Sequence, residues 1–187
     1  MIYFLEVSEE FYSTERKRNI YAPWRMEYIT GLYEGRYEGC FLCGYRDDPN
    51  SDEQNLVLWR GQRSFAVLNR FPYTGGHSLV APYDHKGSLA DLDEETMLEI
   101  MKMTRDVKRL LSHSIHAEGF NVGINVGRCA GAGLPGHLHV HVVPRWGGDT
   151  NFMAVLGEVH MVPQGLQDLY TQLLSDSAKL GLPKLSR

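Results

Sequence analysis

Gly136-His137-Leu138-His139-Val140-His141-Val142-Val143-Pro144-Arg145 is the stretch on which the reading of this chain turns. Side chains on a β-strand alternate between faces, so a strand here puts His137, His139 and His141 on one face and Leu138, Val140 and Val142 on the other. The apolar face goes to a core. Each of the three imidazoles must find hydrogen-bond partners, or its burial costs several kcal/mol. A face that was merely wet would carry Thr, Lys or Glu. One metal held by all three is excluded by length: at a rise of about 3.3 Å per residue, His137 and His141 stand roughly 13 Å apart, too far for ligand bonds of about 2 Å to one ion. Two adjacent histidines could share a metal. What remains is a division of labour, with one imidazole as nucleophile, a neighbour as proton donor and the outermost left for another role. Neutral imidazole attacks phosphorus and titrates near neutral pH. The strand therefore reads as a phosphoryl- or nucleotidyl-transfer site.

Working outward, Phe65-Ala-Val-Leu-Asn69-Arg-Phe-Pro72-Tyr-Thr-Gly-Gly76-His77-Ser-Leu-Val-Ala-Pro82 lies upstream and Arg145-Trp146-Gly147-Gly148-Asp149-Thr150-Asn151-Phe152 downstream. Together with the triple-histidine strand they resemble the histidine-triad (HIT) family of nucleotide hydrolases and transferases, over roughly residues 20 to 155. Ala22-Pro23-Trp24-Arg25 and the Trp-Gly-Gly-Asp-x-Asn-Phe tail are most similar to the bacterial diadenosine-tetraphosphate phosphorylase branch.

The resemblance implies roles residue by residue. His139, the central imidazole, is the nucleophile that becomes nucleotidylated, and His141 protonates or hydrogen-bonds the leaving phosphate. His77 supports these histidines by hydrogen bonding. Asn69 is a ribose ligand and Asn125 a phosphate or leaving-group contact. The backbone of Gly131 to Gly133 would cradle phosphate oxygens, with Trp146 closing over the site. Cys40, Cys43, His85 and His137 would hold a structural zinc, since such sites need four ligands and Cys40-x-x-Cys43 supplies two. The related galactose-1-phosphate uridylyltransferases carry glutamine where His141 stands, so this histidine favours the hydrolase and phosphorylase branches. Phosphorylase-like members carry serine where this chain has Gly133, which removes a hydroxyl donor to an incoming phosphate. The implied reaction is nucleotidyl transfer from a substrate like diadenosine tetraphosphate to phosphate. The alternatives are hydrolysis of the same or related nucleotides, a phosphoramidase activity, and a nucleotide-binding regulator without turnover.

The bounds of the chain agree with such a protein. Its 187 residues suit a single domain, with a core at roughly 20 to 155, an N-terminal arm and a C-terminal helix. A net charge of -4 argues against a nucleic-acid partner, which would call for a basic footprint. The chain holds no apolar run of about 18 residues to span a membrane. Met1-Ile-Tyr-Phe-Leu5 is short, lacks a basic lead and runs into Glu6, so it is no secretory signal, and a cytoplasmic location is expected. Three cysteines make no disulfide framework, and Cys129 has no evident role.

Periodicity supplies the elements. Leu56-Val-Leu-Trp59 and Phe65-Ala-Val-Leu68, joined by the turn Arg60-Gly-Gln-Arg63, read as a hairpin, followed by a strand at His77–Ala81. Asp47–Glu53 reads as a polar loop. Glu94–Ser112 reads as the one long helix, N-capped by Asp91 or Asp93, with Met97, Ile100, Met101, Thr104, Val107, Leu110 and Leu111 as its buried stripe. His113 and His116 fall in the surface connection that follows. Gly119–Val126 is a strand, and Gln164–Leu180 a helix with Leu166, Leu169, Leu173 and Leu174 on one side. Strands joined by tight turns, one helix and two more strands make an α+β domain: an antiparallel sheet with the helix across one face. The resembling family pairs as homodimers.

Overall fold

Leu56 to Leu68 folds as the hairpin its sequence predicts, in a computed structural model that describes residues 39–149 and 164–185. Strand β1 (Val57–Arg60) pairs antiparallel with β2 (Ser64–Leu68). The turn between them is fixed from outside: the Glu99 carboxylate accepts the Arg63 and Ser64 amides, each at 2.9 Å, and the Ser64 hydroxyl at 2.8 Å. Gly61 is required there, because a Cβ would collide with that carboxylate. Strand β3 (Ser78–Pro82) pairs with β2, and β5 (Val140–Arg145) lies between β3 and β4 (Gly119–Ile124). The sheet order is β1-β2-β3-β5-β4, antiparallel throughout.

The long helix, α3 (Glu94–Ser114), packs on β2, β3 and β5. Its first turn is capped by Asp93, whose carboxylate accepts the Thr96 amide at 2.7 Å. Met103, Val107, Leu110 and Leu111 are fully buried on the sheet, each contributing about 1.5–3 kcal/mol relative to exposure. Two details of the expected helix change. Met101 is 57% exposed and Met103 takes its place in the core, because the contact face is centred on Ile100, Met103 and Val107. The helix also runs one turn's half further, so His113 belongs to its last turn rather than to the connection, although both His113 and His116 are exposed as expected.

The C-terminal helix, α4 (Leu166–Leu180), lies against α3 and β1. The Trp59 indole donates to the Ser177 hydroxyl at 2.8 Å and Tyr170 to the Val57 carbonyl at 3.0 Å, both buried, so each amphipathic side chain delivers its polar tip to a partner. Leu169 and Leu173 are buried there, whereas Leu174 is turned outward.

Before the sheet, Phe41–Asp47 forms a helix, α1, and Asp52–Asn55 a short one, α2, where the sequence suggested only a polar loop over Asp47–Glu53. The turn residues are real, but Arg60 overrides them by binding the Asp52 carboxylate and the Tyr45 and Arg46 carbonyls at the end of α1. The Ala-Pro-Trp-Arg arm, the aromatics from Tyr21 to Tyr37 and the tail residues Thr150 to Phe152 lie outside the described residues.

Candidate active site

Register decides which side chains meet. Val67 pairs with Leu79, Leu79 with His141 and His141 with Gly123, one row across four strands. Directly opposed residues of an antiparallel pair share a face, so His141 emerges beside Leu79 and Val67, and all three line a cavity. Gly123, opposite His141, carries no side chain, and a Cβ there would meet nothing within 4 Å, which leaves open space beside the imidazole. Asn125 follows the last residue of β4, and His139 precedes the first residue of β5, just past the Ile124–Val140 pair that ends the ladder. Phe41 and Tyr45 of α1, with Phe71 and Leu134, add apolar wall, and Asn69, Arg70 and Tyr73 add polar groups.

The three histidines differ from a simple strand face. β5 begins at Val140, so His137 and His139 lie in the segment just before it, and both are buried, at 0% and 7% exposure. Their burial is affordable because each ring has a backbone partner. Those partners also fix where the protons sit. His139 Nδ1 is 2.9 Å from the His137 carbonyl, which can only accept, so Nδ1 carries the hydrogen and Nε2 keeps its lone pair. Burial pushes the His139 pKa below the ordinary histidine value, against the pull of that carbonyl, and keeps the ring neutral.

His141 is set the other way round. The Tyr73 amide lies 3.1 Å from His77 Nδ1, and an amide N–H can only donate. The Asn69 side chain is oriented to match: its oxygen accepts the Phe71 amide at 3.0 Å, which turns its NH2 toward the same His77 Nδ1 at 3.2 Å. His77 must therefore carry its hydrogen on Nε2, 3.0 Å from His141 Nδ1. His141 accepts there and presents its own Nε2–H. The Tyr73 ring stacks on His77, with centroids 4.6 Å apart. Two adjacent imidazoles thus line one cavity, His139 with a lone pair on Nε2 and His141 with its hydrogen there, their centroids 4.8 Å apart.

His137 points elsewhere. Its Nε2 donates to the Pro82 carbonyl at 2.9 Å, leaving Nδ1 as an acceptor 3.1 Å from Cys40 Sγ and 3.5 Å from Cys43 Sγ. His85 Nδ1 is 3.3 Å from Cys43 Sγ, and the four ligand atoms lie within 4.8 Å of one another. Tetrahedral zinc with thiolate and imidazole ligands sets its ligand atoms about 3.3–3.8 Å apart, so this donor set and spacing fit it. The Pro82 carbonyl supplies the outer hydrogen bond that orients a ligating histidine. Burial raises the Cys40 thiol to about 11 and lowers the His137 pKa.

Three sequence-level expectations are placed differently. The Gly131 amide is spent inside its own loop on the Arg128 carbonyl at 3.0 Å, and Ala132 on that of Gly127 at 3.3 Å, so Gly131 offers the cavity no N–H. Gly133 lines the cavity without such an internal bond among the described residues. Trp146 is five residues from His141 along an extended strand, roughly 16 Å away, and its indole N–H is bound to the Ile115 carbonyl at 3.0 Å. It is not among the residues that line the cavity. Asn125 is not among the cavity-lining residues, and its amide is 3.5 Å from the Gly131 carbonyl. Tyr73, Gly123 and the aromatic wall escaped the sequence reading. Tyr73 lies four residues before His77 in a turn-rich link, and nothing local in that link signals its amide-to-ring bond.

With that geometry in hand, the comparisons align. The sequence profile of the HIT domain family matches residues 50–148. The chain is 37% identical over 169 residues to the AP-4-A phosphorylase of Mycobacterium tuberculosis, covering 88% of this chain and 87% of that protein. It is 34% identical over 89 residues to the asymmetrical bis(5'-nucleosyl)-tetraphosphatase of Schizosaccharomyces pombe, covering 48% of each. Among solved structures, a Zn-bound histidine triad family protein from Mycobacterium smegmatis superposes with a TM-score of 0.63 at 26% identity, over 76% of this chain and 96% of that one.

Proposed function

The chain belongs to the HIT domain family, and from that premise we propose that it is an enzyme that moves a nucleotidyl group from a dinucleoside polyphosphate of the diadenosine-tetraphosphate kind, through a nucleotidyl-histidine, to inorganic phosphate. The observation that carries this reading is the opposed pair of tautomers at His139 and His141. The His139 Nε2 lone pair forms a bond to the α-phosphorus, and the bond from that phosphorus to its bridging oxygen breaks. The electron pair leaves with the oxygen of the departing nucleoside triphosphate, and the His141 Nε2–H supplies its proton. Phosphate oxygen then attacks the same phosphorus, expels His139 Nε2 and yields the nucleoside diphosphate. Asn69 serves the ribose while orienting His77, and Asn125, just past the end of β4, meets the phosphate or the leaving group.

Hydrolysis is the second reading, and a specific observation favours it. Gly133 offers no hydroxyl, and the Gly131 amide is occupied, so the site has fewer donors for an incoming phosphate than the phosphorylase pattern calls for. Product chromatography at rising phosphate separates the two: phosphorolysis gives ATP and ADP from diadenosine tetraphosphate, and hydrolysis gives ATP and AMP at every phosphate concentration.

Zinc belongs to the same proposal, held by Cys40, Cys43, His85 and His137, and its contribution when bound is to tie α1 to the segment that carries the nucleophile. A homodimer is proposed as well. β4 ends the sheet with every residue at least partly exposed and Val122 47% exposed, an edge that a second copy would cover. No helix among the described residues is long and apolar enough to cross a membrane, and the proposed location is the cytoplasm, where the thiols stay reduced.

A further inference from the structure

We infer that Arg70 lies at the nucleobase end of the cavity and selects purine nucleotides by laying its guanidinium over the base; this rests on the nucleotide reading above and names the specificity of that site. Arg70 lines the cavity, yet nothing in the proposed chemistry uses it. Its position follows from register. The guanidinium Nη2 donates to the Gln54 carbonyl at 2.9 Å, and Gln54 stands just ahead of β1. The Leu68 amide bonds the Leu56 carbonyl at 3.0 Å, Leu68 pairs with Ser78, and Ser78 pairs with Val142, the neighbour of His141. That is three strand spacings, roughly 14 Å at about 4.8 Å each, between the anchor of the guanidinium and the strand of the imidazoles.

Asn69 lies between these ends, bonded to His77. A nucleotide with its α-phosphorus at His139 and its ribose beside Asn69 therefore extends its base toward β1, away from the histidines. The walls met there are Tyr45, whose carbonyl is held by Arg60 of β1, and Phe41, in edge contact with Tyr45 at 5.5 Å. A cation meant for the phosphates would stand at the other end. A planar, weakly hydrated guanidinium in an aromatic-walled pocket suits stacking on a flat heterocycle, and its bond to Gln54 orients the plane before ligand arrives. Purines offer the larger face.

Calorimetric titration of wild type, Arg70→Ala and Arg70→Lys with AMP, CMP and ribose 5-phosphate tests this. Arg70→Ala should weaken AMP by about tenfold, CMP by less, and ribose 5-phosphate not at all. Arg70→Lys, which keeps the charge and loses the plane, should also lose AMP affinity while keeping ribose 5-phosphate. Equal loss for all three ligands would assign Arg70 to sugar or phosphate and overturn the inference, as would unchanged AMP binding in Arg70→Ala or full retention in Arg70→Lys. Wild-type protein that binds ribose 5-phosphate and AMP alike, with all variants equal, rejects the base contact but leaves the nucleotide site standing; wild type that binds none of the three rejects both.

Discussion

His77 and His141 meet at 3.0 Å, Nε2 to Nδ1, and the Tyr73 amide on the far side of His77 fixes which of them donates. The proton on His141 Nε2 is thus set by a backbone group two hydrogen bonds away. If that relay orients the leaving-group acid, His77→Ala should reduce kcat by about ten- to a hundredfold, with larger losses on substrates whose leaving groups are poor. His77→Gln, which can still donate at this position, should recover part of it. Equal losses across a leaving-group series would mean that His77 is only packing.

His139→Ala should abolish the nucleotidyl-histidine seen by acid quench and lower turnover by several orders of magnitude, with nucleotide binding largely kept because Asn69 and the cavity walls are untouched. His141→Ala should accumulate the intermediate from substrates with good leaving groups and fail with poor ones. Near-normal turnover in the His139 variant ends the covalent mechanism.

Much of this was legible in the sequence and some could not have been. Apolar runs between turn residues gave β2 and β3, alternation gave β5, and Asp91 or Asp93 marked the start of α3, because these signals are local. Met101 and Met103 are both compatible with helical spacing beside Ile100, so only the sheet decides between them. α1 was hidden by Gly44 and by its seven-residue length, and it is held by Arg60 from outside rather than by propensity. The histidine protons are the least local feature. They depend on the Pro82 carbonyl, 55 residues before His137, and on the Tyr73 amide, in a loop that no periodicity describes.

The cluster of Cys40, Cys43, His85 and His137 makes a stability prediction. Purified protein kept reduced and free of chelators should carry about one zinc per chain, and chelation should lower its melting temperature, because ligands gathered from α1, the residues after β3 and the segment before β5 form no site in the unfolded chain. Cys43→Ala should reproduce the loss and no longer respond to chelator. Metal-free protein with an unchanged melting temperature would remove zinc from the account.

Gly76 holds a φ of 85° at the entry to β3, where a Cβ would stand 2.7 Å from Ile115 Cδ1 and 3.1 Å from Leu111 Cδ2. Gly76→Ala should therefore destabilise the fold by about 1–3 kcal/mol through backbone strain and a clash with the end of α3. Because His77 follows directly, the variant should also lose activity at temperatures where it remains folded. A melting temperature equal to wild type would show that α3 yields at no cost.

The last prediction concerns the acceptor. Gly133 lines the cavity and, unlike Gly131 with its φ of 84°, does not occupy the positive-φ region, so its φ does not disfavour a side chain. A serine hydroxyl there would add one hydrogen bond to an anion, about 1.5–3 kcal/mol. Placed on the incoming phosphate, that bond should shift the partition of the nucleotidyl-histidine toward ADP by roughly ten- to a hundredfold at fixed phosphate. Formation of the intermediate, which involves no free phosphate, should change much less. Gly133→Ala separates the hydroxyl from bulk: it should leave the ADP to AMP ratio as in wild type or lower it. If Gly133→Ser and Gly133→Ala give the same ratio, this loop does not bind the acceptor, and the choice between phosphate and water is made elsewhere in the cavity.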